Sequence, residues 1–123
     1  MKGETKMTFI CYPKCSTCKK AREFLLARGL EFTERDIKLQ NPGEEELREW
    51  HARSGLPLRR FFNTSGQLYR SLELTRRLPE MGEDEQYALL ATDGMLVKRP
   101  ILLTDDGGVL VGFRQADWER ALG

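Results

Sequence analysis

The spacing of apolar residues changes along the chain, and each spacing predicts a different element. Residues 7–11 form an apolar run of strand length that ends at Tyr12-Pro13. Apolar positions then recur at helical spacing over 16–28, and Gly29 is suited to end that helix. A second strand is expected at 32–37. It would pair in parallel with the first strand because a helix connects the two.

The middle of the chain is predicted to be helical, and its end predicts a β-hairpin. Asn41 and Pro42 mark a helix start, as the cap and the first helical residue, and acidic residues open another helix at Glu83. A strand at 97–104, entered through Arg99-Pro100, and an apolar strand at 109–113 flank a turn with the sequence Asp-Asp-Gly-Gly. A short helix is expected to close the chain. This order of elements predicts a mixed sheet with helices packed on it.

Length and charge indicate the number of domains and exclude some classes of binding partner. At 123 residues the chain fits one domain with a single core, expected to span 1–123 with 1–6 disordered. The 20 basic and 19 acidic residues leave a net charge of +1, which gives no electrostatic case for direct binding to nucleic acid or to a membrane. No apolar run reaches the ~18 residues of a spanning helix. The polar N-terminus also lacks the apolar core of a secretion signal, so the expected location is cytoplasmic.

Candidate chemistry lies in Cys15-Ser16-Thr17-Cys18, a CxxC placed between a strand and a helix. The first N–H groups of a helix lack intrahelical partners and carry partial positive charge, so they stabilise a thiolate at Cys15. Cys18 follows one turn later on the same helix face. Cβ atoms three residues apart on a helix are about 5–6 Å apart, more than the ~3.5–4.5 Å of a relaxed disulfide. A bridge therefore requires Cys15 to lie outside the regular helix.

Other interpretations of the cysteines remain open. A structural zinc site needs a second ligand pair, and the one histidine, His51, lies in another predicted helix. The spacing of Cys11, Cys15 and Cys18 also occurs in iron–sulfur enzymes, although those are built on a large barrel. The two CxxC thiols could instead be inert. Cys11 is expected to be a buried strand residue because free cysteine behaves as a small hydrophobe, and no bound metal is predicted.

Three motifs together make a family resemblance specific. They are Tyr12-Pro13-Lys14-Cys15-x-Thr17-Cys18-x-Lys20-Ala21, Phe62-Asn63-Thr64-Ser65-Gly66 and Asp93-Gly94-Met95-Leu96-Val97-Lys98-Arg99-Pro100-Ile101. With these motifs the chain resembles the arsenate reductase/Spx family over nearly all of 7–122. The resemblance implies an α/β, thioredoxin-like fold. We expect a mixed sheet of about four strands with flanking helices and an inserted helical region at about 41–93.

The resemblance also implies roles for single residues. It implies a cis peptide bond at Arg99-Pro100, with Arg99 directed toward the nucleophile Cys15. A guanidinium is always charged and can hold a thiolate or an oxyanion. Glutathione-linked arsenate reductases of the family use further arginines, to which Asn63 and Arg114 are the nearest matches here; the lost cation weakens the case for arsenate. The expected substrate-binding residues are Ser16, Thr17, Asn63, Pro100 and Arg114.

The resulting prediction is a cytosolic thiol–disulfide oxidoreductase of the arsenate reductase-like group, with Cys15, Cys18 and Arg99 as its catalytic residues. Cys15 would attack a small-molecule or protein disulfide or an oxyanion, and Cys18 would resolve the mixed species. No bound cofactor is expected, and an external thiol reductant, glutathione or thioredoxin, would restore the dithiol. The alternative is an Spx-like transcriptional regulator that binds RNA polymerase and uses its CxxC as an oxidant switch.

Overall fold

The computed structural model describes residues 7–122, so the disorder predicted for 1–6 lies outside the described residues. The chain divides into two compact units. The first contains the described residues up to Asp36 together with those from Arg99 onward, and the second is Ile37–Lys98. The helical insertion expected at about 41–93 falls within the second unit.

The first unit is built on a four-stranded sheet with the order β2-β1-β3-β4. The strands are β1 (Thr8–Cys11), β2 (Thr33–Asp36), β3 (Ile101–Leu103) and β4 (Val109–Val111). β1 runs parallel to β2 and antiparallel to β3, and β3 pairs antiparallel with β4. The parallel pair follows from the helical connection, and the last pair is the predicted hairpin. The mixed sheet expected from the sequence is confirmed.

Two helices complete this unit, α1 (Ser16–Ala27) and α6 (Gln115–Leu122). Gly29, just beyond α1, has a φ of 70°, the left-handed conformation that glycine adopts at little cost. Trp118 of α6 is buried, and its Nε1–H donates to the carbonyl oxygen of Gly112 at 3.0 Å. The buried residues of this core are Met7, Phe9, Cys11, Cys18, Ala21, Leu25, Leu102 and Trp118. Two of the three cysteines therefore belong to the core.

The second unit is helical. Its α-helices are α2 (Glu44–Ser54), α3 (Gln67–Ser71), α4 (Leu74–Arg77) and α5 (Glu83–Leu90), with short 3-10 turns at Leu58–Phe61, Leu78–Glu80 and Gly94–Leu96. α5 begins where the acidic residues predicted it, whereas α3 and α4 were not predicted. Among residues 7–122 the longest helix is α1, with 12 residues, and no helix is long and apolar enough to cross a membrane.

Some predicted boundaries are wrong. α2 begins at Glu44 with Gly43 as its cap, not at Asn41 and Pro42. The Asn41 side chain instead donates to the carbonyl oxygen of Ala91 at 2.8 Å, a contact between residues distant in sequence. A tertiary hydrogen bond has replaced the local cap.

The strand predicted at 97–104 is shorter in the structure and begins only at Ile101. Val97 forms an isolated antiparallel bridge with Phe62 inside the second unit. Pro100 has no N–H to donate to a sheet, which suits its place just before β3.

Gly94 is required by a close approach within the second unit. A Cβ atom at this position would lie 1.8 Å from the carbonyl oxygen of Ile37. Any side chain there would have to displace backbone, because 1.8 Å is far inside van der Waals contact. Gly94 lies within one of the motifs that carry the family resemblance.

Candidate active site

Cys15 occupies the N-cap of α1 and is partly exposed. Its backbone is extended, with φ −90° and ψ 125°, so the residue lies outside the regular helix. Its N–H donates to the Tyr12 carbonyl oxygen at 2.9 Å, and its own carbonyl oxygen accepts from the N–H of Lys19 at 3.1 Å. No side chain caps this helix, and its first turn contains no acidic residue. The positive end of α1 is thus left for the sulfur of Cys15.

Cys18 lies one turn further along α1 and is only 2% exposed. Its sulfur accepts a hydrogen bond from the backbone N–H of Tyr12 at 3.3 Å. The Cys18 thiol is also hydrogen-bonded to the side chain of Cys15. The CxxC therefore has one accessible thiol and one buried thiol in contact with each other, as an attacking and a resolving cysteine require.

Cys11, at the end of β1, is a third member of this group. It is buried, as expected, and its side chain is hydrogen-bonded to Cys18. That hydrogen bond, together with burial, raises the pKa of Cys18 well above its ordinary value, and the same hydrogen bond lowers the pKa of Cys11. A contact between these two thiols is not predicted from the sequence, because it depends on how the turn at 12–14 brings the end of β1 to the start of α1.

A small cavity of about 260 Å³ opens beside the two buried cysteines. It is lined by Cys11, Pro13, Cys18, Lys19, Arg22 and Glu34. At its side an ion pair joins the Arg22 Nε to a carboxylate oxygen of Glu34 at 2.7 Å, with both side chains exposed. The cavity therefore gives solvent-sized molecules a path to Cys11 and Cys18.

The predicted cis peptide bond at Arg99-Pro100 is present. The guanidinium carbon of Arg99 lies 5.3 Å from the centre of the Tyr12 ring, three residues before Cys15, and its Nε is buried. Pro100 is buried, and its carbonyl oxygen accepts from the N–H of Gly112 at 2.8 Å. A cationic side chain is thus held against the segment that leads into the dithiol. Its action on Cys15 stays a prediction.

The other predicted binding residues have different surroundings. Ser16 and Thr17 are exposed in the first turn of α1. Arg114 is exposed just before α6, where its carbonyl oxygen accepts from the N–H of Trp118 at 3.1 Å. All three belong to the first unit together with the cysteines and Arg99.

Asn63 belongs to the second unit, where it organises a turn. Its N–H donates to the carbonyl oxygen of Leu96 at 2.8 Å, and its side-chain oxygen accepts from the Ser65 hydroxyl at 3.4 Å. A Cβ atom on Gly66 would lie 2.7 Å from the Asn63 amide nitrogen, so glycine fits this turn closely. These contacts give Asn63 a structural role, and its role in binding a substrate stays a prediction.

Metal ligands are not assembled in the described chain. Across residues 7–122 no group of three or more His, Cys, Asp or Glu side chains is placed to hold a metal ion. His51 is the histidine that the sequence analysis considered as a zinc ligand. Its Nδ1 lies 2.6 Å from the hydroxyl oxygen of Tyr87, and its ring packs edge-on against Phe61. The surroundings of His51 are therefore those of a partly buried structural residue.

Comparison with known proteins agrees with this geometry. The model of the ArsC family matches residues 11–121. The chain belongs to the ArsC family. The match covers the CxxC, the cis proline and the hairpin, and it confirms the resemblance stated from the motifs. The thioredoxin-like fold expected for an ArsC-family chain is confirmed by the mixed sheet and by the structural relatives.

Three relatives illustrate the range of ArsC-family proteins similar to this chain. The uncharacterized protein YusI of Bacillus subtilis is 51% identical over 113 residues, covering 92% of this chain and 95% of that protein. The regulatory protein MgsR of the same species is 30% identical, covering 93% of this chain and 88% of MgsR. A crystal structure of a protein described as ArsC family related, from Bacteroides fragilis, has a TM-score of 0.90 and 51% identity, covering 94% of this chain and 96% of that one.

Proposed function

We propose that this ArsC-family chain is a cytosolic thiol–disulfide oxidoreductase in which Cys15 is the nucleophile and Cys18 the resolving cysteine. One observation carries the proposal. A partly exposed thiol at an uncapped helix start is hydrogen-bonded to a buried thiol one turn later. A substrate can therefore reach the sulfur of Cys15, while the sulfur of Cys18 is shielded from solvent and lies close enough to attack next.

In the first step the Cys15 thiolate attacks a sulfur atom of a disulfide substrate. A bond forms between the two sulfur atoms, the substrate disulfide breaks, and the electron pair leaves with the departing thiolate. The N-terminus of α1 stabilises the attacking thiolate. Arg99, held against Tyr12, would add positive charge near the leaving group.

In the second step Cys18 attacks the sulfur of Cys15 in the mixed disulfide. The Cys15–Cys18 bond forms, the substrate thiolate is released, and the proton of the Cys18 thiol is released to water. The N–H of Tyr12 donates to the Cys18 sulfur and favours its thiolate. An external thiol, glutathione or thioredoxin, then reduces the bridge and restores both thiols without any bound cofactor.

A disulfide or a glutathione adduct suits this site better than an oxyanion. Arsenate would need several cationic contacts. Of the family's three arginines, Arg99 is retained, Arg114 is the nearest match to a second, and Asn63 stands nearest to the third. The backbone amides of Ser16 and Thr17 and the guanidinium of Arg99 would bind the anionic part of a substrate. Glutathione, with its carboxylates, has the matching charge.

The test is turnover of a glutathionylated peptide, with either the glutathione or the thioredoxin reducing system supplied. We expect the Cys15→Ser variant to fall to background and the Cys18→Ser variant to accumulate a mixed disulfide at Cys15, visible as a mass increase. Ser71→Ala, on an exposed surface of α3, serves as the control and should match the wild type. Full turnover by Cys15→Ser would contradict the proposal.

A second candidate is a redox-switched regulator, favoured by the similarity to the regulatory protein MgsR over 93% of this chain. In that case the same Cys15–Cys18 bridge would form, but it would change the affinity for a protein partner, RNA polymerase by analogy with Spx-like proteins. Copurification with RNA polymerase that depends on the oxidation state, without turnover of the glutathionylated peptide, would favour the regulator over the enzyme.

A further inference from the structure

Cys18 is the middle member of a row of three thiols. Its side chain is hydrogen-bonded to Cys15 on one side and to Cys11 on the other. Cys15 stands at the N-cap of α1, whereas Cys11 ends β1, so the two outer thiols belong to different elements. A disulfide involving Cys18 can therefore be approached by a second thiol of the same chain.

The cavity beside β1 gives a second route to this row. Its lining includes the sulfur-bearing residues Cys11 and Cys18, and among the described residues Cys15 is not part of it. At about 260 Å³ it can admit a small thiol but not the surface of a protein. The cationic side chains of Lys19 and Arg22 lie along the same opening. Access to the buried pair thus differs from access to Cys15.

We propose that Cys11 exchanges with the Cys15–Cys18 disulfide and moves the bridge to Cys11–Cys18, where a small thiol reductant reaches it through the cavity. This inference rests on the proposed function, since that reaction supplies the Cys15–Cys18 disulfide. The relay returns Cys15 to its reduced form before any external reductant has acted.

The exchange is balanced without another oxidant. The Cys11 thiol loses its proton to water in the cavity, and the resulting thiolate attacks the sulfur of Cys18. The Cys11–Cys18 bond forms, the Cys15–Cys18 bond breaks, and the electron pair leaves on Cys15. Cys15 is the better leaving group of the two because its thiolate lies at the positive end of α1. The small thiol then attacks the new bridge, and a second equivalent completes its reduction.

The position of the remaining free thiol reveals whether the relay operates. The wild-type chain is equilibrated with oxidised glutathione, free thiols are blocked with N-ethylmaleimide, and the chain is digested with trypsin. Cleavage after Lys14 separates Cys11 from a peptide that contains both Cys15 and Cys18. The relay predicts two peptides joined through Cys11 and Cys18, with the label on Cys15, in more than half of the bridged molecules. A bridge confined to the second peptide, with the label on Cys11, would overturn it.

Two single variants separate this proposal from the proposed function. Oxidised glutathione should convert Cys15→Ser to a form two hydrogens lighter, with an internal Cys11–Cys18 bridge. Cys11→Ser is the matched control and should form only Cys15–Cys18. Persistent glutathione adducts or free thiols in Cys15→Ser, beside a normal bridge in Cys11→Ser, would refute the relay and leave the oxidoreductase standing. Failure of Cys11→Ser to form any bridge, with its fold intact by circular dichroism, would instead refute the oxidoreductase.

Discussion

Three helices of this chain begin in two different ways. In α2 and α5 the third helical residue is a glutamate, Glu46 or Glu85, whose carboxylate accepts the N–H of the capping glycine at 3.2 Å and 3.1 Å respectively. Both helices also place three acidic residues in the first turn. In α1 the corresponding position is Cys18, and the first turn contains no acid.

The start of α1 therefore lacks a stabilising interaction that α2 and α5 have. A glutamate at this position would satisfy a backbone N–H and complement the helix dipole, as it does twice in the second unit. The Cys18 sulfur instead accepts the N–H of Tyr12 and contacts two other thiols. The positive end of α1 thus remains available to Cys15. The third helical position holds the thiol of Cys18, although a glutamate there would stabilise the helix more.

The largest expected difference between Cys18 and the glutamates at the same helical position is in how the free energy of unfolding changes at alkaline pH. Hydrogen bonding to Cys11 and burial raise the pKa of Cys18 above its ordinary 9.0, so the folded chain keeps a proton that the unfolded chain releases. The stabilisation is complete below about pH 9 and is lost as the pH rises further, by up to about 1.4 kcal/mol per pH unit. An ordinary carboxyl group titrates at about pH 4, so a glutamate at the third helical position causes no such loss between about pH 8 and pH 10.

Urea unfolding of the reduced chain between about pH 8 and pH 10 measures this effect. The free energy of unfolding of the wild type should fall more steeply with pH than that of Cys18→Ala, which lacks the protonated thiol. Parallel curves for the two proteins would show that Cys18 does not retain its proton in the folded state.

A smaller effect is expected when an acid is placed at the start of α1. Thr17→Glu puts a carboxylate in the first turn, as in α2 and α5, and its negative charge opposes the Cys15 thiolate. We expect alkylation of Cys15 by iodoacetamide at neutral pH to slow by about 3- to 10-fold, a cost of about 1 kcal/mol to the thiolate. Thr17→Gln has the same size without the charge and should react like the wild type. Equal slowing in both variants would assign the effect to shape.

The smallest effect is expected at the caps of the second unit. Glu46→Ala removes the side chain that accepts the Gly43 N–H, whereas Glu45→Ala removes a charge from the same turn without removing that hydrogen bond. We expect the first variant to lower the free energy of unfolding by about 0.5–1 kcal/mol more than the second, measured by chemical denaturation. No difference between the two would mean that the helix dipole, not the hydrogen bond, accounts for the cap.

Local signals predicted most of the first unit. The apolar run of β1, the helical spacing that begins at Cys18 and the Asp-Asp-Gly-Gly turn each act over a few residues, so the sequence displays them directly. The position of Cys15 outside the helix also followed from local geometry, because a CxxC bridge is too short for two regular helical positions.

Features that depend on distant residues were missed or misplaced. Asn41 looked like a cap but bonds Ala91, fifty positions away in sequence. The short helices α3 and α4 are too brief to show a periodic pattern. The contact between Cys11 and Cys18 depends on how the turn after β1 folds back, and no spacing rule encodes it. The motif predicts the position of the CxxC at the start of α1, but it does not predict that Cys11 lies beside Cys18.

The burial of Trp118 has a practical consequence. The chain has two tryptophans, Trp118 in the first compact unit and Trp50 in the second, and they are 1% and 4% exposed. Each compact unit therefore carries its own fluorescent reporter in its interior. Replacing either indole with phenylalanine leaves a single emitter, and its spectral shift during denaturation follows one unit at a time. The unfolding of the unit that contains the cysteines and the unfolding of the helical unit can thus be followed separately.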